Sequence, residues 1–359
     1  MIWNWQHKKW PKFSYKQAKL ASLEQEFTHK SGIFLGILKH LGTEQPKLDL
    51  ICEEAYRTSL IEGELLNRES IHSSIRKNFG LKSSSNQTRS GEEAIAAMMV
   101  DLYQNYAKQV NHKNLYRWNS LLLYGKADLN LTYRQDDEPM QIVSGSVDKP
   151  KIHFEAPPSE LVKQEMDQFI TWFNSTKSLG ALERAGLAHI YFVSIHPFDD
   201  GNGRIARALA EKVLSQALGQ ASLISLSHVI EKHRKKYYRA LDQACTSLEI
   251  TDWLVYFAEV VLQALEYSQQ SIEFTLAKAK LYDKHKDQMN KRQAKVLKRV
   301  LKEGLSGFEG GLSAENYISI SKTSRATATR DLQDLVDKDI LKIEGQLKST
   351  RYYPNLSSS

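Results

Sequence analysis

The chain has 359 residues, 41% of them apolar and 25% charged, with 18 Gly and 8 Pro. At about 150 residues per domain this length suggests two or three domains, and the balance excludes collagen-like, mucin-like and wholly disordered chains. The 49 basic residues outnumber the 42 acidic ones by 7, a mild excess that argues only weakly for a polyanionic partner. The two cysteines, Cys52 and Cys245, lie far apart without a C-x-x-C, so a reducing cytoplasm is expected rather than a disulfide scaffold. Residues 1–10 lack an apolar signal core. The longest apolar runs, at 190–195 and 254–261, fall short of the ~20 residues a spanning helix needs, so no membrane partner is expected.

Apolar residues recur at helical spacing from Leu20, Leu23 and Phe27 through Phe34 and Leu38. A new helix is predicted over 48–66 after Pro46. The polar stretch 82–91 reads as a loop. Helices are predicted over 92–110 and 115–125. Two short β-like runs, 141–145 and 151–155, flank a turn and predict a hairpin. Ser159 is placed as the cap of a helix over 160–174. Further helices are predicted over 182–195, 202–217, 229–241 and 253–291. The last segment gives a basic helix over 291–302, a Gly-rich turn over 304–311, helices capped by Ser313 and Ser324, and strand–turn–strand over 340–353. That order is the order of a winged helix-turn-helix.

The chemistry concentrates between Ile195 and Arg207. An apolar helix runs into His196-Pro197-Phe198-Asp199-Asp200, and Gly201-Asn202-Gly203 then opens a new helix. The first N–H groups of a helix have no intrahelical acceptor and, with the helix dipole, form an anion site. Arg204 and Arg207 are three apart, on one face of the first turn, and two guanidiniums beside such a nest suit phosphate oxygens. Asp200 borders the nest and offers hard oxygens to Mg²⁺. His196 closes the preceding helix and can take a proton from an attacking hydroxyl. The chain contains no P-loop, dinucleotide-binding fingerprint or H-E-x-x-H.

The run from His196 to Arg207 resembles the signature of the Fic family, H-P-F-x-[DE]-G-N-G-R-x-x-R, at every fixed position. The resemblance implies a mainly α fold: a helical core with a β-hairpin flap, followed here by a C-terminal winged helix-turn-helix domain. It implies a protein adenylyltransferase that moves AMP from ATP, with Mg²⁺, to a Ser, Thr or Tyr hydroxyl of a target protein. In those terms His196 is the general base, Asp200 the Mg²⁺ ligand and Asn202 a contact to the α-phosphate. Arg204 and Arg207 bind the outer phosphates, Gly201 and Gly203 give backbone room, and Phe198 packs the loop. Relatives with Lys in place of Gly203 act as kinases, so Gly203 favours nucleotidyl transfer.

Upstream, Thr58-Ser-Leu-Ile-Glu62-Gly63 resembles the family's inhibitory motif, in which the Glu pairs with the second motif arginine, here Arg207. The run at Gln141 resembles the target-binding flap, which nominates Ile142 and Val143. Tyr237 and Tyr238 resemble an aromatic pair near the nucleotide base, although core packing suits at least one of them. Arg325, Thr327, Thr329 and Arg330 are the candidate DNA contacts; Asp331, Asp334, Asp337 and Asp339 follow closely and would repel a phosphate backbone on the same face. His189, seven before His196, reads as a core histidine. Trp3, Trp5 and Trp10 read as packing on the helical body or at an oligomer contact, and relatives imply a homodimer. The expected organisation is an N-terminal helical segment at 1–90, a catalytic core at 91–265, a connecting helix at 266–290 and the winged helix at 291–359. Two other readings stay open: a hydrolase that removes AMP using Glu62, and a DNA-binding regulator whose core senses nucleotide.

Overall fold

A computed structural model describes residues 2–82, 90–123, 132–146, 149–302, 304–306 and 310–356. Most of the expected loop at 82–91, Gly125, and part of the turn at 304–311 lie outside the described residues. The chain divides into two compact units, Met1–Ser268 and Gln269–Ser359.

The first unit is helical. Helices α1 (Ala21–Lys39), α2 (Gln45–Ile61), α3 (Arg68–Asn78), α4 (Ser90–Gln104) and α5 (His112–Leu122) precede an antiparallel hairpin, β1 (Gln141–Ser146) and β2 (Lys149–Glu155). Then come α6 (Ser159–Ser175), α7 (Ala181–Ile195), α8 (Asn202–Leu218), α9 (Leu226–Lys232), α10 (Arg234–Ala244) and α11 (Thr251–His285), whose last turns belong to the second unit. Helix α7 is apolar nearly all round and is buried from Leu182 to Ile195, as a central core helix must be. A Cβ on its Gly186 would meet Leu254 Cδ2 at 2.8 Å, so this glycine lets α11 close on α7. Trp253 Nε1 donates to the Gly186 carbonyl at 2.9 Å in the same contact.

Several boundaries differ from expectation. Pro46 sits in the first turn of α2, where its missing N–H costs nothing. Helix α2 stops at Ile61, with Glu62 as its C-cap and Gly63 at φ +84°. Helix α4 ends at Gln104, short of Val110. Pro158, not Ser159, is the N-cap of α6. The helix expected over 229–241 is two helices, α9 and α10, separated at His233. The hairpin pairs Gln141 with Glu155 and Ile142 with Phe154, then shifts register so that Val143 faces Ile152.

The second unit holds α12 (Lys291–Leu301), α13 (Ala314–Ser321), α14 (Arg325–Asp337) and the antiparallel pair β3 (Leu341–Glu344) and β4 (Arg351–Pro354). Its core is built from Val296, Val300, Tyr317, Leu332 and Ile340. Both expected caps are present: Ser313 Oγ accepts from Asn316 N–H and Ser324 Oγ from Thr327 N–H. Among the described residues no helix is long and apolar enough to cross a membrane.

Candidate active site

Helices α7 and α8 pack side by side, and the loop between them carries His196 to Gly201. His196 caps α7 in the left-handed region, φ 50° and ψ 59°, a backbone state that a non-Gly residue holds only when its surroundings fix it. Three contacts do so. Arg134 Nε–H donates to the His196 carbonyl at 2.9 Å. Arg134 N–H donates to the Pro197 carbonyl at 3.0 Å. Arg134 Nη2–H donates to the Pro157 carbonyl just beyond the hairpin. Asn119 on α5 donates to the Asp200 carbonyl at 2.7 Å, and Gly201 turns the chain at φ +88°.

The His196 ring is poised as a base. Its Nδ1 lies 3.3 Å from the Val193 carbonyl. A carbonyl can only accept, so Nδ1 carries the proton and Nε2 keeps its lone pair. Burial pushes the imidazole down to about 4; the Val193 bond opposes that shift and the nearby Arg134 charge adds to it. The ring is therefore neutral at pH 7. Phe198 is buried. The Asn202 amide is spent on the loop: Oδ1 accepts from Phe198 N–H at 3.0 Å and Nδ2 donates to the Phe198 carbonyl at 2.6 Å. These two bonds let Asn202 shape the turn that opens α8.

A cleft of about 260 Å³ opens beside this loop. Its walls include His196, Asp200, Gly203, Arg207, Tyr238 and the flap residue Ile142. Tyr237 contributes to the lining but is buried, its hydroxyl 2.8 Å from His189 Nε2, so His189 is a core histidine. Tyr238 is 37% exposed and offers the cleft an aromatic face. Ile142 and Val143 on β1 are 42% and 53% exposed. His153 on β2 bridges Ser144 Oγ and Asp242 Oδ2 on α10.

Arg204 and Arg207 are both about 1% exposed. Glu62 Oε1 accepts from Arg207 Nη2 at 2.6 Å. Thr58 adds its hydroxyl to Nε at 2.8 Å and its carbonyl to Nη2 at 3.0 Å. Arg207 Nη1 is buried and has no acceptor among the described residues, a costly state for a charged donor and an invitation to an anion. A Cβ on Gly203 would collide with Glu62 Oε1, so the carboxylate lies directly against the first turn of α8. Arg204 is different: its Nη1 is 2.7 Å from Glu64 Oε2 and its Nη2 is 3.6 Å from Asp200 Oδ2, and its Nε has no acceptor among the described residues. The sequence reading missed Glu64 and Arg134. Glu64 had a local signal, a second carboxylate two residues after Glu62; Arg134 had none.

Helix α2, which carries Thr58, is anchored largely through one buried carboxylate, Glu53. Glu53 is 2.8 Å from Arg57, 2.7 Å from Arg68 and 3.0 Å from His228. Burial raises its carboxyl, but His228 and the two guanidiniums win and hold it at about 2. Arg57 also reaches Glu231 on α9 at 2.9 Å.

In the second unit, α14 separates its charges. Asp331 is buried against Tyr317 Oη (2.9 Å), Arg292 and Asn290. Asp334 pairs with Gln293 and Lys338. Arg325, Thr329 and Arg330 are exposed and Thr327 is partly so. Asp331 and Asp334 thus bond to Asn290, Arg292 and Gln293 at the start of α12.

Residues 109–214 match the family model described as Fic/DOC family, and residues 3–81 match one described as a domain of unknown function, DUF4172. Over 154 residues the chain is 25% identical to a probable protein adenylyltransferase of Aquifex aeolicus (strain VF5), covering 43% of this chain and 38% of that one. Over 103 residues it is 33% identical to a protein adenylyltransferase Fic of Aedes aegypti, covering 28% of this chain and 19% of the relative. The matches thus span well under half the length of these curated relatives. A Fic family protein of Desulfovibrio desulfuricans G20 shares the fold at TM-score 0.59 and 18% identity, covering 97% of this chain and 99% of that one. A Fic domain containing signaling protein of Bacteroides thetaiotaomicron VPI-5482 matches at TM-score 0.50 and 20% identity, over 71% of this chain and 98% of that one.

Proposed function

We propose that this chain, which carries a Fic domain over residues 109–214, is a protein adenylyltransferase restrained by its own Glu62. The observation that carries the reading is Arg207: a buried guanidinium in the cleft wall beside His196, with Glu62 on one nitrogen and another nitrogen lacking an acceptor among the described residues. The names of the adenylyltransferase relatives point the same way. In the reaction, a Ser, Thr or Tyr hydroxyl of a target protein attacks the α-phosphorus of ATP. His196 Nε2 takes its proton, the bond to the β-phosphate breaks, and pyrophosphate leaves. The N–H groups at the start of α8 and the Arg207 guanidinium hold the phosphates, and Tyr238 stacks on the base. The negative charge of a bound triphosphate favours imidazolium, raising the basicity of His196 when substrate is present.

Mg²⁺ fits the residues present. Asp200 supplies an exposed carboxylate at the nest, and this cation is commonly held by one or two carboxylates together with substrate phosphates. It would neutralise charge on the phosphates as pyrophosphate departs.

Glu62 places a carboxylate where a phosphate oxygen would meet Arg207. With the carboxylate in place ATP binds unproductively; without it the guanidinium is free. The buried thiols Cys52 and Cys245 suit a reducing cytoplasm. The test is incubation of the wild type, Glu62→Gly and Glu62→Gly/His196→Ala with ATP labelled in its adenine ring and a cell extract. Labelled protein is expected with Glu62→Gly alone, and no label under any condition refutes the reading. A wild type that strips label from modified protein, with Glu62→Gly losing that ability, supports the hydrolase instead.

A second reading, for the Gln269–Ser359 unit, is supported by the sorting of charge on α14. Its N-terminal half presents Arg325, Thr329 and Arg330 while Asp331 is buried. Duplex DNA is the partner this surface fits, since a recognition helix reads base edges with its N-terminal residues.

A further inference from the structure

We infer that the segment Trp3-Asn4-Trp5 is a clasp that positions three walls of the catalytic cleft, and through them His196. The inference rests on reading that cleft as the nucleotide site. Asn4 is wholly buried. Its N–H donates to the Cys245 carbonyl at 2.7 Å, where α10 ends and the cleft is lined. Its Nδ2 donates to Ser194 Oγ at 2.7 Å, two residues before His196 on α7. Its Oδ1 accepts from Trp5 N–H at 2.7 Å. A side-chain amide offers this donor and acceptor together. Asn4 alone thus joins α7, α10 and the N-terminal segment through buried hydrogen bonds.

The tryptophans reach the third wall. Trp3 is buried and meets Phe154 edge to face, with ring centroids 5.5 Å apart. Phe154 lines the cleft, and its ring lies 6.4 Å from that of His196. Trp5 Nε1–H donates to the Glu155 carbonyl at 2.7 Å, at the end of β2. An isolated two-stranded hairpin is marginally stable in water, and β1 leaves Ile142 and Val143 exposed. Trp3 and Trp5 hold β2 from the other side. The segment is itself moored further along, where Ser14 N–H donates to the Leu248 carbonyl at 2.8 Å and Ile250 N–H to the Ser14 carbonyl at 3.0 Å. The first residues of the DUF4172 match thereby set the distance between the flap, the end of α10 and the base.

The test is made in full-length Glu62→Gly protein carrying Trp3→Ala, Asn4→Ala, Ser194→Ala or Asn4→Ala/Ser194→Ala, with Trp3→Phe as the conservative control. Amide hydrogen exchange over 141–155 is expected to rise about tenfold in Trp3→Ala and to stay near the parent value in Trp3→Phe. The KM for ATP is expected to rise about tenfold in Asn4→Ala, with no further rise in the double variant. A merely structural role would lower the fraction of active protein and leave KM unchanged. Unchanged exchange in the flap, or a loss confined to the active fraction, overturns the clasp. Should Trp3→Ala fail to fold, Asn4→Ala and Ser194→Ala carry the same readouts. A parent without turnover would sink the nucleotide reading, and flap exchange would still decide the clasp.

Discussion

Arg207 meets opposite demands with one group. Its burial makes it an expensive charge to leave unpaired, so some anion must attend it in every state. Glu62 and the Thr58 oxygens attend it here. Removing the carboxylate leaves the guanidinium to a phosphate, so Glu62→Gly is expected to raise adenylyl transfer on the order of tenfold or more, measured by label incorporation. Glu64 does for Arg204 what Glu62 does for Arg207. Adding Glu64→Gln to Glu62→Gly is expected to lower the KM for ATP further, in steady-state assays. Arg134 acts through the backbone of His196. Its loss in Arg134→Ala/Glu62→Gly should displace the base and lower kcat on the order of a hundredfold, with partial recovery when free guanidinium is added.

Two histidines, His189 on α7 and His196 at its cap, contribute to acid behaviour. Burial first, then the charge of Arg207, holds His189 down at about 3, against an unfolded value near 6.5. Between those values this residue in the unfolded chain binds more proton than in the folded one, so its contribution to stability falls as pH drops from about 6.5 toward 3. The urea midpoint of the wild type relative to that of His189→Gln should therefore fall as pH is lowered across that range. His196, also depressed, adds to the same trend in the protein without nucleotide.

Elements were legible where the signal was local. The contiguous run from His196 to Arg207 lies at the α7–α8 junction, because one helix must end and another start within a Gly-rich turn. Helix α2, which carries Thr58 and ends at Glu62, packs on α9 through Glu53 with His228 and Arg57 with Glu231. The hairpin and the capped helices of the second unit followed from turn and capping chemistry. What escaped was tertiary. No Gly or Pro marks the break at His233. Arg134 and Asn119 come from segments far from the motif, and only folding brings them to its carbonyls. The bracing of the turn by Asn202 was likewise not readable from the motif, since it depends on the folded loop. For α14, Arg325→Ala/Arg330→Ala is expected to weaken duplex DNA binding and to lower the slope of log affinity against log salt by about 2, read by fluorescence anisotropy. An unchanged slope would remove DNA from the account of that helix.

At the scale of the molecule, the first unit joins the N-terminal DUF4172 match and the Fic match in one compact body. Glu62, the β1–β2 hairpin and the His196–Gly201 loop therefore lie in a single compact unit. The mild net charge of +7 said little about partners because opposite charges are spent on internal pairs such as Glu53 with Arg57 and Arg68, and Asp331 with Arg292. The claim that everything else depends on is which phosphorus is attacked. Glu62→Gly protein supplied with Mg²⁺, a cell extract and ATP carrying label at either the α or the γ position decides it. The account predicts α-label fixed on protein and γ-label released in pyrophosphate; γ-label on protein, or both labels left in intact ATP, would contradict it.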